Sequence, residues 1–271
     1  MPPPLRRLYD ACLGLLVLSI VVRRVLLGAD LSLEGGAVIF QWALVMALTL
    51  IHALARSGPR NAMLLGLTAL LLSLAAEWLG ASAGWIFGSY EYSDLLGYRI
   101  AGQVPVFIPL AWYVLAYLSD AMTEMALPRS AGVAARVLFA ALALTSWDFL
   151  FDPICVAFGA WSWVGGGAYF GSIPIGNFIG WYGVSATIFA TYYWLRGPHR
   201  DERMLADDPL RYAAPIFMHL LTAALLVVFA LDLCRAGEAV VGLLVLLPYP
   251  ALAAAGFLSR RQSLRARAAA A

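Results

Sequence analysis

The phrase FGAWSW at 158–163 restates, 71 residues on, the phrase FGSYEY at 87–92. Each joins Phe-Gly to two aromatic residues spaced two apart, Tyr90 and Tyr92 in one copy, Trp161 and Trp163 in the other. Downstream, VPVFIPLAWY (104–113) is answered by IPIGNFIGWY (173–182), with proline and Trp-Tyr in matching places. Upstream, Glu77 stands ten residues before Phe87, and Asp148 ten before Phe158. A chain that brings an acid into the same slot twice reads as two related units, about 74–122 and about 145–195.

The rest of the sequence says where those units sit. Of 271 residues, 62% are hydrophobic and 13% charged, and the mean hydropathy is +0.81. Soluble domains carry about 25% charged residues, so an integral membrane protein is expected. Runs of about 20 apolar residues suffice to cross a bilayer. They fall at 8–28, 37–55, 62–80, 104–122, 133–156, 177–195, 212–233 and 239–258. The expectation is an all-α, polytopic bundle of about eight transmembrane helices, forming one domain over 1–271. Arg23 and Arg24 interrupt the first run; with no prompt small-residue cleavage site after it, it reads as a retained helix rather than a signal peptide.

Arginine sets the expected orientation, because the chain has no lysine. With the N-terminus inside, 14 of the 18 arginines fall in cytoplasmic segments. Only Arg23, Arg24, Arg99 and Arg235 fall outside, and the bias predicts a multi-pass protein of the cell membrane with both termini cytoplasmic. The net charge of +2 is thus a topology signal, not a nucleic-acid footprint. The basic tail, 259–271, reads as a disordered cytoplasmic cap against lipid.

In this topology helices three and four form one unit and helices five and six the other, a parallel repeat. The aromatic connectors, 81–103 and 159–176, then share the extracytoplasmic side. Irregular backbone survives at membrane depth only when it is buried in protein or lines a cavity. Both connectors are therefore expected to dip into the bundle as pocket walls, although part of their aromatic content also suits an interfacial belt.

An ionised side chain at the bilayer centre costs about 2.5–3.5 kcal/mol on insertion scales, which makes intramembrane acids functional candidates. Asp148 and Asp152 are spaced i, i+4 and share a helix face, and Pro153 should kink or end that helix and free a carbonyl. Glu77 occupies the matching slot of the other unit. Asp232 lies three residues before Arg235 at a helix end and reads as a surface or interface ion pair. Crowded carboxyls in a low-dielectric site cannot all ionise. A carboxylic acid among aromatic faces can protonate an electron-rich alkene while the rings stabilise the resulting cation. No metal or other cofactor is called for. The three cysteines and three histidines show no metal-ligand spacing; Cys12, Cys155 and Cys234 read as small buried hydrophobes, and His219 as a packed residue hydrogen-bonded to a neighbouring helix.

At these residues the chain resembles a known family. EWLGASAGWIFGSYEYSDLLG (77–97), VPVFIPLAWY, DFLFDPICVAFGAWSW (148–163) and YFGSIPIGNFIGWY (169–182) are similar to the membrane carotenoid 1′,2′-hydratases, the CruF-like and bisanhydrobacterioruberin hydratase-like proteins. The resemblance covers about 74–195. It implies a cofactor-free hydro-lyase that adds water to the terminal double bond of an acyclic carotenoid, of the lycopene, γ-carotene or bisanhydrobacterioruberin type. Glu77, Asp148, Asp152 and Asn177 fall in its polar positions. Asp148 or Glu77 is the expected proton donor, with Asp152 and Asn177 placing water. Trp85, Phe87, Tyr90, Tyr92, Trp112, Trp161, Trp163 and Trp181 are expected to line the slot. Membrane lipid and other carotenoid biosynthesis enzymes are the expected neighbours. A carotene cyclase sharing the same protonation, or a non-enzymatic lipid or solute carrier, are the alternatives.

Overall fold

The computed structural model describes residues 1–22, 34–196 and 201–269. Arg23, Arg24 and His199 lie outside the described residues. The chain is mostly helical. In order it forms α1 (Pro3–Val22), α2 (Glu34–Ala83), β1 (Tyr90–Tyr92), β2 (Arg99–Ile100), β3 (Val104–Pro105), α3 (Phe107–Ala126), α4 (Val133–Phe158), β4 (Trp161–Trp163), α5 (Ile175–Leu195), α6 (Asp201–Asp207), α7 (Pro209–Tyr212), α8 (Ala214–Asp232), α9 (Ala236–Leu246) and α10 (Pro248–Ala269).

Among the described residues, four stretches are long and apolar enough to cross a membrane: Phe40–Ala83, Val133–Phe158, Ala214–Asp232 and Ala236–Arg267. The first holds two of the expected apolar runs. Gly58 (φ 76°, ψ 164°) breaks the helical geometry there and Pro59 follows, so α2 is two helices joined end to end. Helices α3 and α5 are 20 and 21 residues long but are not among the four. Ser119, Asp120, Thr123 and Glu124 lower the apolarity of α3, and Asn177, Ser185 and several Tyr and Trp that of α5.

The residues expected to form one domain gather into two compact units, Met1–Met63 with Pro198–Tyr212, and Leu64–Gly197 with Ala213–Ala271. In the first, Tyr9 and His52 are buried with ring centroids 5.9 Å apart. His52 Nε2 lies 2.7 Å from the Arg211 carbonyl, and Arg211 pairs with Asp10 and covers the Tyr9 ring at 5.0 Å. These contacts tie α1, α2 and α7 together.

The second unit is built around α4, which is apolar nearly all round, as a central helix must be, and packs against α3, α5, α8 and α9. Its C-terminus shows why glycine recurs in the echoed phrase. Gly159 caps α4 at φ 79°, and its counterpart Gly88 has φ 109°, backbone angles that side-chain-bearing residues seldom adopt. The expected effect of Pro153 is only half realised. Helix α4 runs five residues past it to Phe158, yet proline has no N–H for the Phe149 carbonyl four residues back. The Tyr169 hydroxyl takes that place, donating to Phe149 O at 2.9 Å.

Three expectations are corrected here. The tail is helical to Ala269 rather than disordered, in keeping with its Arg, Ala, Gln and Leu content. His219 is fully buried against the Trp147 ring, with centroids 4.4 Å apart, but neither ring nitrogen has a hydrogen-bond partner among the described residues. Cys234 is exposed, whereas Cys12 and Cys155 are half-buried.

At the ends of α3, α4 and α5 away from the aromatic connectors lies a buried charge network. Glu124 bridges Arg136 (2.9 Å) and Arg196 (2.6 Å), and Arg196 also faces Asp120 at 3.7 Å and covers the Tyr193 ring at 4.4 Å. The sequence reading passed over Asp120 and Glu124. In a chain of this hydropathy, opposite charges must find each other inside the protein.

Candidate active site

The two echoed phrases meet strand to strand. β1 pairs antiparallel with β4, placing Tyr90 opposite Trp163, Glu91 opposite Ser162 and Tyr92 opposite Trp161. Side chains alternate along a strand, so the four rings share one face. Trp112 and Trp181, which hold the same place in VPVFIPLAWY and IPIGNFIGWY, stack with centroids 4.0 Å apart and planes 17° apart. The helices beneath supply the acids: Glu77 from α2, Asp148 and Asp152 from α4, and Asn177 from the first turn of α5. All four are at most 5% exposed.

These groups surround one cavity, whose space open to the centre of a water molecule is about 40 Å³. That is enough for about two or three waters. Eleven of the twelve residues expected at the site line it. Trp85 is the exception: it follows the end of α2, is 65% exposed, and lies outside the cavity. Ile108, Ala111, Leu115 and Phe151 also line it and were not anticipated. Ile108, Ala111 and Leu115 share the α3 face that carries Trp112, so helical spacing from that tryptophan would have found them.

Each acid is held by rings or an amide. Tyr90 and Tyr92 both donate to Glu77 Oε2 at 2.6 Å, and Trp112 Nε1 donates to Glu77 Oε1 at 2.9 Å. Trp161 and Trp163 Nε1 donate to Asp152 Oδ1 at 2.7 and 3.2 Å. The Asn177 amide bridges the pair on α4, donating to Asp148 Oδ2 at 2.6 Å and to Asp152 Oδ2 at 2.8 Å. Burial, and then the neighbouring Glu77, push the Tyr90 and Tyr92 phenols well above their ordinary range, so both keep their protons and serve as donors.

The hydrogen bonds also revise the matching of the acids. Counted back from Phe87 and Phe158, Glu77 corresponds to Asp148; by its ring partners it corresponds to Asp152. Helix ends explain the difference. Glu77 lies six residues before Ala83, the last of α2, and Asp152 six before Phe158, the last of α4. Phe87 comes four residues after its helix ends, so the same count from the phenylalanines slips by one turn.

Among the described residues no three of His, Cys, Asp and Glu come together as a metal-binding group. The arrangement offers three carboxyls, an amide and ring faces around a space of water size. Such an arrangement can transfer a proton and stabilise positive charge by electrostatics.

Searches of curated proteins and of solved structures return no significant match. A family model described as carotenoid biosynthesis protein matches residues 35–248, well over half of the chain and the whole of the site. The chain therefore belongs to the carotenoid biosynthesis protein family.

Proposed function

We propose that this protein is a cofactor-free carotenoid hydratase of the cell membrane, acting on the terminal C1′–C2′ double bond of an acyclic carotenoid with both of its own termini cytoplasmic. The observation that carries this reading is the meeting of Glu77, Asp148 and Asp152 at one aromatic-walled cavity. A buried acid protonates the terminal alkene, and the positive charge moves to the tertiary carbon. Ring faces then stabilise that cation by about 0.5–2 kcal/mol per contact. Water is at hand, because the cavity is of water size and one wall is polar, formed by Asp148, Asp152 and Asn177. Capture by water gives a tertiary alcohol and returns the proton. A cavity of about 40 Å³ holds the reacting water. The echoed units place related walls on either side of the substrate end, and other enzymes of the carotenoid route supply the substrate.

Expression in a lycopene-producing host, followed by mass spectrometry of the pigments, tests this. A product heavier by one water is the expected result. An isomer of unchanged mass would assign the same protonation to a cyclase. Unchanged pigment would favour a carrier.

A further inference from the structure

Three carboxyls present six oxygens to the cavity region, and the structure does not treat them alike. Glu77 receives three hydrogen bonds, from Tyr90, Tyr92 and Trp112, with both oxygens engaged. Asp152 also receives three, from Trp161 and Trp163 on Oδ1 and from Asn177 on Oδ2. Indole N–H and amide NH₂ groups only donate, so all three bonds to Asp152 favour its ionised form. Asp148 receives one bond, from Asn177 on Oδ2. Among the described residues, Asp148 Oδ1 is the only one of the six oxygens with no donor.

The amide of Asn177 is fixed in orientation by the same geometry, since its oxygen turned round would face two carboxyl oxygens. Its Oδ1 receives no hydrogen bond from the described residues, which leaves an acceptor for water beside Asp148. Charge-assisted hydrogen bonds are about twice as strong as neutral ones, so donors gather where the negative charge is. By that rule Glu77 and Asp152 are the anions and Asp148 is the acid.

We infer that Asp148 alone moves the proton in both halves of the reaction, while Glu77 and Asp152 remain fixed anions flanking the cation. This deepens the hydratase reading of the site and rests on it. In the first half the alkene π pair forms a C–H bond to the Asp148 proton, leaving a tertiary cation and the Asp148 carboxylate. In the second, water held at Asn177 Oδ1 forms the C–O bond to the cation, and its proton passes to that carboxylate. One water is added, nothing is oxidised or reduced, and Asp148 ends protonated, as it began.

The test uses the full-length protein in membranes with lycopene, γ-carotene and bisanhydrobacterioruberin, and the same protein in detergent with N,N,N-trimethylgeranylammonium, a permanently charged, short-tailed mimic of the cation, followed by tryptophan fluorescence. Asp148→Asn should lower hydration by about 10²–10⁴-fold, the usual contribution of a positioned acid or base. It should bind the ammonium within about twofold of wild type, because one neutral group replaces another. Asp148→Glu should recover part of the activity. Glu77→Gln and Asp152→Asn should weaken ammonium binding about tenfold or more, a one-charge effect at an effective dielectric of about 20. Hydration by Asp148→Asn within about tenfold of wild type, or ammonium binding weakened in it as much as in Glu77→Gln, overturns the assignment while the hydratase reading stands. A wild type that adds no water to lycopene, γ-carotene or bisanhydrobacterioruberin removes the reading itself, and the assignment with it.

Discussion

Glu77→Gln and Asp148→Asn are both single-atom exchanges at a carboxyl, yet they should differ in stability. In Glu77→Gln, one oxygen of the new amide can still accept from Tyr90 and Tyr92, now without charge assistance, a loss of about 1–2 kcal/mol over the two bonds. The amide NH₂ then faces Trp112 Nε1, which sat 2.9 Å from a carboxylate oxygen; a buried donor without an acceptor costs about 1–3 kcal/mol. Relief from burying a charge offsets about 1–2 kcal/mol of this. The net is a loss of about 2 kcal/mol, or a Tm lower by about 4 °C for a chain of this size. In Asp148→Asn the new amide keeps an oxygen for Asn177 and places its NH₂ where the acid proton was, so Tm should stay within about 2 °C. Thermal unfolding in detergent, followed by tryptophan fluorescence, measures both. If Asp148→Asn falls as far as Glu77→Gln, the donor count does not report where the charge lies, and the assignment of roles goes with it.

Tyr169→Phe strands the Phe149 carbonyl that Pro153 leaves without its helical partner, and should cost about 1–3 kcal/mol. In a Pro153→Ala background the restored N–H should cut that cost by half or more; equal costs in both backgrounds would refute the pairing. Burial, with Asp148, Glu238 and Asp152 nearby, pushes the Tyr169 phenol from its ordinary 10 up to about 12. Its contribution to stability is therefore full below pH 10 and fades as pH rises through 12, so wild type should lose more Tm than Tyr169→Phe across that window. Arg196→Leu removes a cation from beside Asp120 and Glu124. Breaking a buried pair in this way costs about 3–5 kcal/mol, and a Tm unchanged in Arg196→Leu would show that the network does not hold these helix ends.

Much of the site was legible because its parts are rare in an apolar chain. Acids are costly among Leu and Val, so Glu77, Asp148 and Asp152 stood out, and the two copies of the aromatic phrase marked what lay against them. Their pairing could not be read in advance. Strand register between 90–92 and 161–163 is set by where α2 and α4 end, and the four extra residues before Phe87 moved the correspondence from Asp148 to Asp152. Trp85 shared the composition of the cavity wall but follows directly on a helix end, where its ring turns outward. Asp120 and Glu124 escaped notice because they sit late in α3, close to where a span would end. Only the fold shows that Arg136 and Arg196, from two other helices, come to meet them.

The Trp112–Trp181 stack has an optical consequence. Two indoles 4.0 Å apart and 17° from parallel share their excited states, so the protein should carry an exciton couplet in its far-ultraviolet circular dichroism. A polyene end sliding between the walls would part the rings and collapse that couplet into two ordinary indole signals. The molecule thus contains its own gauge of occupancy, readable without label or turnover.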